Sequence, residues 1–191
     1  MIRSATLFAG YHKDPDSTAN VLRDGWLYTG DIAEIDSEGY VYITGRKKEL
    51  IVSSNGKKIY PARIEVLFKT EPIVNQVVLI GDRLPYVTAL LTVNGTHAES
   101  LKGMPAANHG ERRLAEAPPV LDEIRKAVAR VNKQLAPFEQ VKRFRIVDRE
   151  FSIEHGEVTA TMKVRRKQVL ENFKADVDAL YQLSASGRGG E

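Results

Sequence analysis

Gly25-Trp26-Leu27-Tyr28-Thr29-Gly30-Asp31 runs directly into Ile32-Ala33-Glu34-Ile35. After Asp36-Ser37-Glu38-Gly39 the chain returns as Tyr40-Val41-Tyr42-Ile43 and reaches Gly45-Arg46-Lys47-Lys48. Two β-branched and aromatic runs around four turn-forming residues predict a β-hairpin over 32–43. A carboxylate stands at its entrance and a guanidinium at its exit, on neighbouring strand ends.

Downstream, Leu50-Ile51-Val52 predicts a short strand and Ser53-Ser54-Asn55-Gly56 a turn. Pro61 suits the first turn of a helix through Phe68, with Ile64, Leu67 and Phe68 on one face. Val77–Ile80 and Val87–Val93 read as apolar strands. The Gly-, Pro- and Asn-rich tract 94–118 reads as loop with a short helix near 97–102. Val120, Ile124, Ala127, Val128, Val131 and Leu135 recur at helical spacing up to Pro137. Phe144–Val147 reads as a strand, 152–162 as a loop, and 164–182 as one or two helices with Val169, Phe173, Val177 and Leu180 inward. The expectation is α+β: a small mixed β-sheet flanked by helices, preceded by a hairpin-bearing segment. The polar tail 184–191 is expected to be disordered.

Charge is distributed unevenly. Residues 1–45 carry three Lys/Arg and seven Asp/Glu, a net of −4, while 46–191 carry 25 and 18, a net of +7. The sign changes at Arg46, where a domain boundary is expected: 1–47, then 48–183. The same pattern would arise from two solvated faces of one domain. A net charge of +3 is too small to argue for nucleic acid, and the aromatic residues do not interleave with the basic ones. No apolar run approaches the ~18 residues of a membrane span, and the start of the chain lacks a secretory core. With no cysteine there are no disulfides, thiolate metal sites or cysteine nucleophiles, and His12, His97, His109 and His155 show no metal-ligand spacing. No metal site is expected. A cytoplasmic address fits, with peripheral membrane contact left open.

Thr159-Ala160-Thr161-Met162-Lys163 puts one lysine ahead of a basic helix start. Vicinal ribose hydroxyls suit a carboxylate and phosphate oxygens suit cations, so a nucleotide complements this set. Each residue also has an ordinary reading: Asp31 as a strand-end aspartate, Arg46 as a surface arginine, Gly56 as a turn glycine, Lys57 and Lys58 as solvated lysines, Lys163 as one cation in a basic run.

The order Gly25–Asp31, then Gly-Arg-Lys-Lys-Glu-Leu-Ile from Gly45, then Gly56, Ile64-Glu65 and Lys163 resembles the carboxyl-terminal part of the AMP-forming acyl-CoA synthetases, members of the adenylate-forming enzymes. Lys47-Lys48-Glu49 and the long tract 94–160 resemble the long-chain fatty acid–CoA ligases among them. The resemblance, over about residues 8–183, implies a mobile lid domain and a remnant of a large amino-terminal adenylation domain. It implies Asp31, Arg46 and Tyr28 at the nucleotide and Lys163 as catalytic. It makes Lys48 the hinge, a position that is aspartate in many members, and puts Gly56, Lys57 and Lys58 along the path of CoA. Many members have Gly-Lys where this chain has Met162-Lys163, and Ala160 replaces a proline of the long-chain variant.

The implied reaction joins fatty acid and ATP to acyl-AMP and pyrophosphate, then CoA to acyl-CoA and AMP. Mg2+ ligands are expected in the large domain. So are the Ser/Thr/Gly-rich phosphate loop and the aromatic-Gly-x-Thr-Glu motif, neither of which occurs here. The resemblance therefore implies a fragment, inactive alone, from the last third of an enzyme. The alternatives are another adenylate-forming enzyme, acting on an aryl acid, an amino acid or a luciferin-like substrate, and a non-catalytic nucleotide- or partner-binding module.

Overall fold

Asp14 accepts the amide of Ser17 and caps a helix that opens on proline, so α1 spans Pro15–Val21. In this computed structural model, which describes residues 1–103 and 114–182, the chain divides into two units, Met1–Leu50 and Ile51–Glu191. The predicted disordered tail lies outside the described residues, as do residues 104–113 of the predicted loop tract.

In the first unit α1 is followed by a two-residue ribbon, β1 (Leu22–Arg23) with β2 (Trp26–Leu27). The predicted hairpin follows as β3 (Asp31–Ile35) with β4 (Val41–Arg46). It extends to Asp31 and Arg46, which face each other at its open end. Asp36 closes the turn by accepting the amides of Glu38 and Tyr40. Ile35, Tyr40, Val41, Tyr42 and Ile43 are exposed, and no large apolar side chain of this unit is buried. Lys47–Glu49 then forms a single 3-10 turn.

The second unit opens with the hairpin β5 (Ile51–Val52) and β6 (Lys58–Ile59), then α2 (Pro61–Lys69). Its sheet has three strands: β7 (Val74–Ile80) antiparallel to β8 (Val87–Val93), and β9 (Val141–Ile146) parallel to β8. The crossover from β8 to β9 carries α3 (Gly95–Glu99), a 3-10 turn at Leu114–Glu116 and α4 (Pro118–Asn132). α5 (Arg166–Asn172) and α6 (Lys174–Gln182) follow β9.

Both faces of the sheet are covered, so its strands read as unbroken apolar runs rather than alternating ones. Val77, Leu79, Ala89 and Leu91 pack with Ile64, Phe68, Ile124 and Val131 from α2 and α4. Val78, Ile80 and Leu90 pack on the other side with Phe151, Val158, Val169, Phe173 and Leu180. Burial of each such side chain contributes roughly 1.5–3 kcal/mol.

Four elements differ from expectation, among them β9, which runs Val141–Ile146 rather than Phe144–Val147 because Asn132 pins its start at Val141. β7 starts at Val74, three residues early, because Gln76 is polar for a reason the strand pattern hides. Its side chain donates to the Phe151 carbonyl and accepts the Phe151 amide, fastening the 147–165 loop to the sheet. α4 stops at Asn132, whose carboxamide exchanges two hydrogen bonds with the main chain of Val141 at the start of β9. Leu135 keeps the helical period only because the next turn continues with shorter i→i+3 bonds. α3 begins at Gly95, since Asn94 caps the His97 amide.

Candidate functional site

In the first unit, cross-strand pairing brings Asp31 and Arg46 together: Arg46 Nε lies 3.0 Å from Asp31 Oδ1. The arginine side chain is 61% exposed and the aspartate 26%. Such a pair is worth about 0–1 kcal/mol, so a ligand can take either partner at little cost. Gly30 holds φ +76°, a left-handed conformation that glycine adopts freely, and the Lys47 amide bonds its carbonyl. Tyr28 leaves its ring exposed beside Arg23, whose guanidinium carbon lies 5.7 Å from the ring centroid. Lys48 is the middle residue of the 3-10 turn, between extended backbone at Arg46 (φ −114°, ψ 138°) and Leu50 (φ −58°, ψ 124°).

In the second unit, Gly56 occupies the β5–β6 turn at φ +78°, with its amide on the Ser53 carbonyl. A Cβ built there would meet nothing within 4 Å, so the glycine is required by backbone conformation and leaves one side of the turn open. The hairpin is fastened by main-chain bonds: Arg83 N to Val52 O, 2.7 Å, and Ser54 N to Leu84 O, 3.0 Å. Lys57 and Lys58 are exposed beside it, with Lys57 Nζ 5.8 Å from the ring centroid of Phe138.

Lys163 stands at the tip of a narrow tongue. Arg165 N donates to Glu157 O at 2.7 Å, Val158 and Val164 form an isolated bridge, and Thr159 N donates to Lys163 O at 2.9 Å. Lys163 N donates to the Thr159 hydroxyl at 3.1 Å. Residues 160–163 are exposed at the tip. Met162 has φ +59°, which accounts in backbone terms for the glycine that the resemblance expects at this position.

The sequence reading missed the base of this tongue. Glu157 is fully buried, and Arg149 grips both its oxygens at 2.6 Å. Ser152 N and Asn172 Nδ2 complete its bonds at 3.1 and 2.8 Å. On the other leg, Arg166 donates to Leu79 O and to Glu65 Oε1, 2.7 Å from the latter, while Leu79 N donates to the same oxygen at 2.9 Å. No local pattern marks Arg149 or Asn172 as partners of Glu157.

Burial alone would raise the Glu157 pKa. The Arg149 pair, with Asn172 and the Ser152 amide, outweighs it and holds the group at about 2 against an ordinary 4.5. A depressed carboxylate pKa stabilises the fold above the unfolded value, and that contribution is lost as pH falls through the folded one. It amounts to about 3 kcal/mol at neutral pH. Between pH 6 and pH 3 the wild-type chain should lose about 2 kcal/mol of stability that the Glu157→Gln variant does not lose. Urea unfolding at the two pH values measures it; an identical pH dependence for both would contradict the assignment.

Among the described residues no group of three His, Asp or Glu is placed to hold a metal ion, and no helix is long and apolar enough to cross a membrane.

The family model of the AMP-binding enzyme C-terminal domain matches residues 48–185, and the chain belongs to that family. Over 183 residues it is 37% identical to the long-chain-fatty-acid–CoA ligase FadD15 of Mycobacterium tuberculosis, a match covering 95% of this chain and 30% of that protein. The long-chain-fatty-acid–CoA ligase ACSBG1 of Bos taurus is 34% identical over 205 residues, 96% of this chain and 28% of that one. The chain thus spans about a third of the length of the curated relatives it matches. Among solved structures, the A-PCP didomain of a carboxylic acid reductase from Segniliparus rugosus in complex with AMP superposes with a TM-score of 0.74. That likeness is at 25% identity and covers 98% of this chain and 25% of that one.

Proposed function

We propose that this chain is the carboxyl-terminal part of a long-chain fatty acid–CoA ligase, with residues 1–47 belonging to the large adenylation domain and 48–183 forming the mobile lid. The observation that carries this reading is Lys163, exposed at the tip of a tongue whose base is held by two ion pairs, one of them on the buried Glu157. A flexible cation on a fixed mount is what adenylation requires. Bringing a fatty carboxylate against the α-phosphate of ATP sets anion on anion, and a preorganised positive charge stabilises the transition state. Identity to ligases along nearly the whole chain supports the same assignment.

In this reading the Asp31 carboxylate accepts the two ribose hydroxyls, Arg46 turns its guanidinium towards the phosphates, and Tyr28 lies beside the nucleotide. Rotation about Lys48 then withdraws Lys163 and presents the Gly56 turn, with Lys57 and Lys58 as candidates for CoA phosphates. The division of the chain after Leu50 and the family match from residue 48 favour a hinge here. The Mg2+ that would accompany ATP would take its ligands from the large domain; among the described residues no group of three His, Asp or Glu is placed to hold it.

A second reading, adenylation for a different acceptor or acid, draws on the likeness to the carboxylic acid reductase. Joining the chain to its upstream domain separates the two. ATP–pyrophosphate exchange with palmitate, followed by acyl-CoA formation, is expected from the joined protein and neither activity from the 191-residue chain. Exchange by the chain alone, or exchange only with aryl or amino acids after joining, would contradict the proposal.

A further inference from the structure

Keeping a fully buried carboxylate ionised is costly, and the adenylation scheme gives Glu157 nothing to do. Its position suggests a use. The carboxylate joins the descending leg of the Lys163 tongue to Arg149 beyond β9 and to Asn172 at the end of α5. Its carbonyl accepts Arg165 N from the returning leg, which Arg166 ties separately to β7 and α2. The hydrogen bonds of the tip run within the tip itself, among Thr159, Thr161, Met162 and Lys163. Any tilt at the base is therefore carried outward to the lysine. Replacing the whole Arg149–Glu157 pair by apolar side chains would keep the space filled but lose direction, whereas a bidentate arginine–carboxylate pair fixes orientation.

We infer that Glu157 is a positioning residue for Lys163: its grip on Arg149 and Asn172 sets the height and direction at which the ammonium meets the reacting phosphate. This rests on the proposed role of Lys163, and the test has two arms. In the 191-residue chain, Glu157→Gln should lower the backbone amide order parameters of residues 159–163, read by NMR relaxation, while those of β7 and β8 stay unchanged. An unaltered tongue, or an equal loss of order throughout the sheet, would overturn the inference.

In the joined enzyme, Glu157→Gln should lower kcat for ATP–pyrophosphate exchange by about tenfold to a hundredfold, with the KM for ATP nearly unchanged, as expected for a misplaced catalytic group. Added to Lys163→Ala, it should cost nothing further, because the group it positions is already gone. Multiplicative losses would overturn this inference alone. A Lys163→Ala enzyme with normal exchange would overturn the role of Lys163 itself and this inference with it.

Discussion

In the complete enzyme, read as the proposed ligase, Lys163→Ala is expected to slow adenylation by about 10²–10³, a loss of about 3–4 kcal/mol, and to leave the thioester half-reaction nearly intact. The asymmetry follows from the mount. Lys163 sits on one tongue of the second unit, and in the proposed mechanism a lid rotating between half-reactions would carry that tongue away from the nucleotide. Preformed acyl-AMP with CoA bypasses the first step, so both half-reactions can be measured in the same variant. Equal loss in both would mean that Lys163 supports structure or that one conformation serves both steps. Lys163→Arg is expected to recover only part of the rate. A planar guanidinium does not replace a compact ammonium aimed at one oxygen.

Lys48→Pro is expected to do the reverse, sparing adenylation and lowering thioester formation by at least about tenfold. Lys48 is the middle of a three-residue turn, with extended backbone on both sides. A few dihedrals there can redirect everything downstream, and a proline ring locks one of them near −65°. The effect should appear with acyl-AMP and CoA as substrates and be absent from ATP–pyrophosphate exchange. Normal thioester formation would move the hinge away from residue 48.

The paired elements of the fold were legible because their signals are local. Asp36-Ser37-Glu38-Gly39 between two apolar runs announces the hairpin, and its extension to Asp31 and Arg46 follows from the strand pairing. Val87–Val93 needs nothing beyond its own composition. What stayed hidden depends on distant partners. Gln76 looks like the end of a strand because its bonds go to Phe151, 75 residues away. Glu157 falls in a stretch that reads only as loop, and nothing local brings Arg149 and Asn172 to it. The chemistry-bearing residues divide in the same way. Asp31 and Arg46 are paired by a local hairpin, whereas the mount of Lys163 is a tertiary construction of β7, α2, α5 and the segment after β9. The methionine where the resemblance expects glycine is explained by one dihedral, φ +59° at Met162, which no composition reveals.

In the proposed mechanism the side-chain nitrogen of Lys163 reaches the phosphates of a bound nucleotide. An adenosine carrying a sulfonyl fluoride in place of its phosphates reacts with a nucleophilic side chain held at that position, and peptide mapping identifies the residue. In the complete ligase the label should fall on Lys163, be suppressed by excess ATP and disappear from the Lys163→Ala variant. ATP-protected labelling of another residue, with Lys163 unmodified, would contradict the account.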